Sequence, residues 1–144
     1  MTVSVILKTK GNDVVSVSPD ELLSSVVDTL AARRIGAVLV LDAAGAVAGM
    51  LSERDVVRAL SQEGPSALDK PVRAFMTAEV VHATPSESIA EVMEKMTVGR
   101  FRHLPILDQG RVAGIISIGD VVKRRIDDAV HEADALREYV ASAG

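Results

Sequence analysis

Hydrophobic positions along this chain follow two rhythms, and the rhythms alternate in the same order twice. Short apolar runs, Ala37–Leu41 with Val47–Leu51 and Leu104–Leu107 with Val112–Ile116, flank a glycine turn in each case. Runs of this length, so flanked, predict two hairpins of buried strands. Before each hairpin the apolar residues recur at helical spacing: Leu22, Val26, Val27 and Leu30 in one place, Ile89, Val92, Met93 and Met96 in the other. Each of these helices follows a short strand, Val14–Val17 or Val80–Ala83, and then Ser18-Pro19-Asp20-Glu21 or Thr84-Pro85-Ser86-Glu87. Ser or Thr at the N-cap, Pro at the first helical position and Glu two further on form a capping box, so the helices are expected to start there. A second helix opens after each hairpin, at Ser52 and at Ser117.

The two sets are copies of one unit. "VVSVSPDE" at Val14 matches "VVHATPSE" at Val80, and "VLVLD" at Val38 matches "LPILD" at Leu104, both at an offset of 66 residues. A turn shortened from "DAAG" to "DQG" then reduces the offset to 65, after which "GAVAGMLSERDVV" runs in step with "GRVAGIISIGDVV". A one-residue slip inside a turn is where a duplication tolerates change. The unit reads strand–helix–strand–strand–helix, and two of them packed together give an α+β fold. The expected boundaries are a first repeat at 8–62, a linker at 63–74, a second repeat at 75–126 and a helical extension at 127–144. The extension arises because the final helix continues to about Ala141, whereas the first copy breaks at Gly64-Pro65. Val122, Ile126, Ala129, Ala133, Leu136 and Val140 step by four and three along it, as in a short heptad seam. That stripe either packs back on its own domain or pairs with a second subunit.

Composition narrows the chemistry. Apolar residues make up 48% of the chain but aromatics only 2%, so the core must be built from Val, Ile, Leu, Ala and Met. A net charge of −4 gives no general attraction to nucleic acid, and the few aromatics offer little for base stacking. The absence of cysteine excludes disulfides, thiolate metal sites and cysteine nucleophiles. The first twenty residues hold charges and no long apolar run, so no secretory signal is expected. The most membrane-like segment, Ile35–Leu51, contains Asp42 and three glycines and reads as two strands rather than a span. The expected compartment is the cytoplasm, with no membrane partner.

The phrase shared by both copies, Gly-apolar-apolar-Ser-x-x-Asp, occurs at Gly49–Asp55 and Gly114–Asp120. Ser-x-x-Asp at a helix start is first a capping device. It also stands directly after a buried strand, so the free amides and the carboxylate would lie together at a sheet edge, where an anion or ribose hydroxyls could be held. Spacing alone leaves both readings open. No G-x-S-x-G surrounds either serine, no dinucleotide-binding or phosphate-loop glycine pattern occurs, and His82, His103 and His131 lack the spacing of metal ligands. Catalysis is not expected, and neither is a metal or a catalytic cofactor.

From Val14 to Arg124 the chain resembles a tandem pair of CBS domains (cystathionine β-synthase domains, together a Bateman module). The resemblance rests on the two openings, on "VRAFMT" at Val72–Thr77, on "FRHLPILD" at Phe101–Asp108 and on both Gly-apolar-apolar-Ser-x-x-Asp phrases. It implies two β-α-β-β-α repeats packed with pseudo-two-fold symmetry, a homodimer, and a regulatory, non-catalytic role. It also implies clefts between the repeats for an adenosine-containing ligand such as AMP, ADP, ATP, NAD(H) or S-adenosylmethionine. Each cleft would be built crosswise. One would use Ser52, Arg54 and Asp55 with Val80, Val81, Phe101, Arg102 and His103. The other would use Ser117, Gly119 and Asp120 with Val14, Val15, Ile35, Gly36 and Ala37. The first carries Arg54, Arg102 and His103 for phosphates; the second has Gly36-Ala37 in place of Arg102-His103 and is expected to bind more weakly, to bind a different part of a dinucleotide, or to stay empty. Duller roles remain open: Arg102 as a strand-edge charge, His103 and Phe101 as core, and Lys123-Arg124-Arg125 as a solvated helix face. The alternatives in function are a structural or protein-interaction module with vestigial clefts and, against the charge and aromatic content, a nucleic-acid-binding module.

Overall fold

The structure is a computed structural model and describes residues 1–143. In chain order the elements are α1 (Val3–Lys10), β1 (Ser16–Val17), α2 (Leu23–Arg33), β2 (Ala37–Leu41), β3 (Val47–Ser52) and α3 (Glu53–Glu63). Two 3-10 turns, Gly64–Asp69 and Val72–Ala74, lead to α4 (Ile89–Gly99), β4 (His103–Asp108), β5 (Arg111–Ser117) and α5 (Ile118–Ala143). β1 pairs parallel with β2 and β2 antiparallel with β3; β4 and β5 form the matching antiparallel hairpin. The fold is thus α+β, with a long C-terminal helix, as the residue pattern implies. Gly144, the last residue of the expected extension, lies outside the described residues.

Each half has its own apolar core, and each core is completed by the segment that leads into the other half. Leu23, Val26, Leu30, Val38, Val40 and Leu51 pack with Ala67 and Val72 from the connecting turns. Ile89, Val92, Met96, Leu104, Ile106 and Ile116 pack with Val3, Ile6 and Leu7 from α1. The sequence pattern predicts no element before Val14. The missing helix is short and its apolar face is only three residues wide, so its stability comes from tertiary packing rather than from its own propensity. A third cluster around Ala37, Leu39 and Met50 joins the halves, with Val14, Val80, Val112 and Ile115 against it.

Two local expectations are corrected. The Ser18–Glu21 and Thr84–Glu87 segments are turns, closed by Glu21 N to Ser18 O (3.1 Å) and Glu87 N to Thr84 O (3.2 Å), and the helices start later, at Leu23 and Ile89. The reason is long-range pairing. Leu22 bridges Pro71 and Ser88 bridges Thr2 in extended conformation. The first helical amides, Leu23 N and Ile89 N, donate to Lys70 O (2.9 Å) and Met1 O (3.1 Å). The orphan donors of a helix start are met by remote backbone instead of a local side chain, although Ser88 Oγ does accept from Glu91 N (3.1 Å). Second, the first strand shrinks to Ser16–Val17, and its counterpart to one parallel bridge between Ala83 and Ile106. Of the two roles open to the apolar stripe of α5, folding back is not the one taken: Ile126 is 57% exposed and Leu136 63%.

The glycine that heads each repeated phrase has a steric cause. A Cβ at Gly49 would lie 2.8 Å from both Met76 Sδ and the Thr77 carbonyl oxygen, and one at Gly114 would lie 2.6 Å from Leu7 Cδ2. Both glycines admit the segment entering from the other half. The Thr77 carbonyl is held by Met50 N (3.0 Å) and cannot withdraw, whereas Leu7 can change rotamer. Gly49→Ala is therefore expected to cost about 1–3 kcal/mol, the usual range for overpacking, and Gly114→Ala less. Thermal denaturation followed by circular dichroism should separate the two by several degrees.

Candidate functional site

A cavity of about 390 Å³ opens between the halves. From the first half it is lined by Gly36, Met50 and the start of α3, where Ser52, Glu53, Arg54, Asp55 and Arg58 converge. From the second it takes Thr77, Glu79, Val80 and Val81, then the α4–β4 corner, Gly99 through His103, and Ile118. All eight residues expected in the first cleft, Ser52, Arg54, Asp55, Val80, Val81, Phe101, Arg102 and His103, meet here.

Ser52 is the N-cap of α3 in extended conformation, and Asp55 at N3 completes a capping box. Asp55 Oδ2 accepts from Ser52 N (2.9 Å) and Ser52 Oγ (3.1 Å), while Arg58 lies 3.5 Å from Oδ1. Asp55 is only 7% exposed and is the one charged residue among the buried set. A carboxylate held this way, beside the positive end of a helix, is fixed in direction. The cap and the site are therefore one arrangement.

Opposite stands the α4–β4 corner. Arg100 ends α4 in the left-handed region (φ 55°), and Arg54 Nη1 donates to its carbonyl oxygen (3.0 Å), tying α3 to the other half. Gly99 is needed because a Cβ there would lie 2.1 Å from Phe101 Cε1, so the ring folds across the helix end. His103 likewise closes over Gly36, where a Cβ would fall 2.9 Å from the imidazole. Burial, and after it Arg102 and Lys10, push the His103 pKa below its ordinary value, so the imidazole is neutral at pH 7. Arg54 and Arg58 stand with Glu53 and Asp55 on α3, and Arg100 and Arg102 with Glu79 on the other half, leaving one excess positive charge around the cavity. Such a set suits a ligand with an anionic end.

Sequence reasoning did not single out Gly99, Arg100 or Arg58. Arg58 carried a signal, being three residues from Asp55 and four from Arg54 on one helix; Gly99 and Arg100 carried none beyond a glycine ahead of an aromatic residue. The second set of residues is dispersed. Ser117 and Asp120 cap α5 as Ser52 and Asp55 cap α3, with Ser117 N to Asp120 Oδ2 at 2.9 Å and Asp120 N to Ser117 Oγ at 3.1 Å. Gly119 is exposed, Val14 and Ala37 belong to the inter-half cluster, Val15 and Ile35 pack on the first core, and Gly36 lines the first cavity. Burial would raise the Asp120 carboxyl, but bonds from Lys10 and from the Ser117 amide outweigh it and hold the group below the usual carboxylate range.

Among the described residues no helix is long and apolar enough to cross a membrane. A CBS-domain family profile matches residues 7–62 and 72–127. The structure is similar to that of a CBS-domain-containing protein from Agrobacterium tumefaciens, with a TM-score of 0.84 and 48% identity over 86% of this chain and 92% of that one. It also shares its fold with the CBS domain pair of protein MJ0100, determined with 5′-methylthioadenosine and S-adenosyl-L-methionine (TM-score 0.79, 22% identity, 89% and 98% coverage). A CBS domain protein from Pyrobaculum aerophilum, complexed with AMP, gives a TM-score of 0.74 at 24% identity, covering 83% of this chain and 89% of that one. The doubled helix caps, the crosswise cavity and a family match in each half lead to one conclusion: this chain belongs to the CBS-domain family, as a tandem pair.

Proposed function

We propose that the chain is a non-catalytic regulatory module that binds an adenine nucleotide (AMP, ADP, ATP or NAD(H)) in the 390 Å³ cavity between its halves. One observation carries the reading: a buried, fully oriented carboxylate, Asp55, lines a cavity that also holds an aliphatic wall, Val80 and Val81, and four arginines, two from each half. A nucleotide divides into three parts that match these surfaces. The ribose diol donates to Asp55, the adenine lies against Val80 and Val81, and the phosphates meet Arg54, Arg100 and Arg102. AMP, 5′-methylthioadenosine and S-adenosyl-L-methionine, the ligands of the two similar structures, have adenosine in common. The carboxylate and the aliphatic wall would read that shared part, and the arginines would select the phosphates.

Isothermal titration calorimetry with AMP, ADP, ATP, NAD, NADH and S-adenosylmethionine tests the reading. At least one is expected to bind more tightly than millimolar. If none does, the clefts are vestigial and the module is structural.

The exposed stripe of α5 supports assembly as a homodimer through a coiled pair of these helices. Val122, Ile126, Leu136 and Val140 face solvent along a heptad spacing, and Glu132 and Arg137 flank the seam where a parallel pair would join them across two chains. Light scattering of a chain ending at Asp127 is expected to give a lower mass per particle than the full chain; equal association state would remove α5 from the interface.

A further inference from the structure

Beside the cavity lies a second, more open hollow. It shares Arg54, Arg100, Phe101, Arg102 and Ile118 with the cavity and adds Met96 and Thr97 from α4, so the two spaces meet along one edge. Their charges differ. Glu53, Asp55 and Glu79 line the cavity, whereas no acidic residue lines the hollow. Arg58, which lines only the cavity, lies 3.5 Å from Asp55. Among the described residues, Arg54, Arg100 and Arg102 pair with no carboxylate. The hollow is bounded by the last turn of α4 and by Ile118, the first residue of α5. One helix ends there in carbonyls and the other begins in amides, so their dipoles oppose each other and the guanidinium groups set the local charge. Arg54 Nη1 donates to the Arg100 carbonyl oxygen (3.0 Å), which leaves most of its donors for a ligand. Like charges gathered without a counterion repel, and a bound polyanion relieves that repulsion.

We propose that this hollow is a subsite for the phosphates beyond the first, so that the chain prefers ADP and ATP to AMP. The inference rests on the nucleotide reading above and adds the phosphate number to it. Asp55 stands one residue from Arg54, which borders both spaces, and the aliphatic wall of Val80 and Val81 belongs to the cavity alone. Adenosine therefore fits the cavity, where carboxylates repel additional phosphates, and the phosphate chain crosses the shared edge into the acid-free hollow. Thr97 gives a handle on the hollow by itself. It does not line the cavity, it is exposed, and its hydroxyl bonds only to Met93 O (2.8 Å) within α4. A substitution there changes the charge of the hollow and leaves both the adenosine contacts and the cores in place.

Adenosine, AMP, ADP, ATP, NAD and inorganic tripolyphosphate are the probes, titrated by calorimetry without divalent cations into the full chain, Thr97→Glu, Thr97→Gln and Thr97→Lys. ADP and ATP are expected to bind the unmodified chain about tenfold or more tighter than AMP, the gain of roughly one further charge-assisted contact. Thr97→Glu should remove that advantage and leave AMP unchanged. Thr97→Gln, of the same size but neutral, should keep it. Thr97→Lys should enlarge it, and serves if the glutamate variant loses helical signal. NAD has the same pyrophosphate as ADP without a free terminal phosphate; binding tighter than that of ADP would overturn the preference for terminal phosphates. Equal affinities for AMP, ADP and ATP overturn the subsite and leave the nucleotide reading standing. Equal binding of ATP and tripolyphosphate, both weakened by Thr97→Glu, with none of adenosine or AMP, supports the hollow and counts against the Asp55 cleft. Binding of no probe overturns both.

Discussion

A chain lacking residues 1–11 is expected to lose the folded structure of its second half. Val3, Ile6 and Leu7 are 0%, 5% and 8% exposed in a core whose other members come from α4, β4 and β5 and from Ala83 and Val121. Truncating one such aliphatic side chain costs about 2–5 kcal/mol, because the transfer free energy is lost and a cavity remains. Deletion also removes three backbone bonds, Val3 N to Glu87 O, Ser4 N to Pro85 O and Ile89 N to Met1 O. The last of these leaves the first amide of α4 without its partner. Three such losses together approach or exceed the roughly 5–15 kcal/mol that stabilises a domain of ordinary size. Ile6→Ala alone should lower the urea midpoint by an amount corresponding to about 2–5 kcal/mol, while Lys8→Ala, on the exposed face, should leave it within about 0.5 kcal/mol of the parent. Equal midpoints for Ile6→Ala and Lys8→Ala would mean that α1 does not belong to the core.

Asp55→Ala is expected to weaken AMP binding by about two orders of magnitude or more. Hydrogen bonds to a charged group are worth about 1.5–3 kcal/mol each, and a ribose diol would make two of them to this carboxylate. Each 1.4 kcal/mol is a factor of about ten in affinity. The same substitution removes half of the capping box of α3, for which about 1 kcal/mol of stability should be lost. Asp55→Asn separates the effects, since an amide oxygen can still accept from Ser52 N while the charge is gone. Asp120→Ala should hardly change AMP affinity, because Asp120 does not line the cavity that holds Asp55. The reverse result, with Asp120→Ala abolishing binding and Asp55→Ala tolerated, would exchange the roles of the two clefts.

Much of this molecule was legible before any coordinates, and the legible part has a common character. The hairpins follow from apolar runs around glycine turns, and the α3 and α5 starts follow from Ser-x-x-Asp, in which cap and N3 residue lie within one helical turn. The resemblance to tandem CBS domains added the expectation that Ser52 and Asp55 face Phe101, Arg102 and His103 rather than their own strands. The errors share a different character. The helix starts at Leu23 and Ile89 were misplaced by a sound local rule, because Lys70 O and Met1 O, distant in sequence, meet those amides first. Gly36, expected in the second cleft, lines the first cavity, where its absent side chain makes room for His103 of the other half.

Periodicity and capping report a residue's own element, for which only neighbours within a turn or a hairpin matter. Docking brings together groups far apart in the chain: Lys10 and Asp120 are separated by 110 residues, and no pattern in either segment points to the other. The sequence alone determined that there are two halves of one design, with matching carboxylates at two helix starts. Only the tertiary structure decided that the entering segments cross to the opposite cores. That crossing leaves one carboxylate facing a cavity and the other facing a lysine.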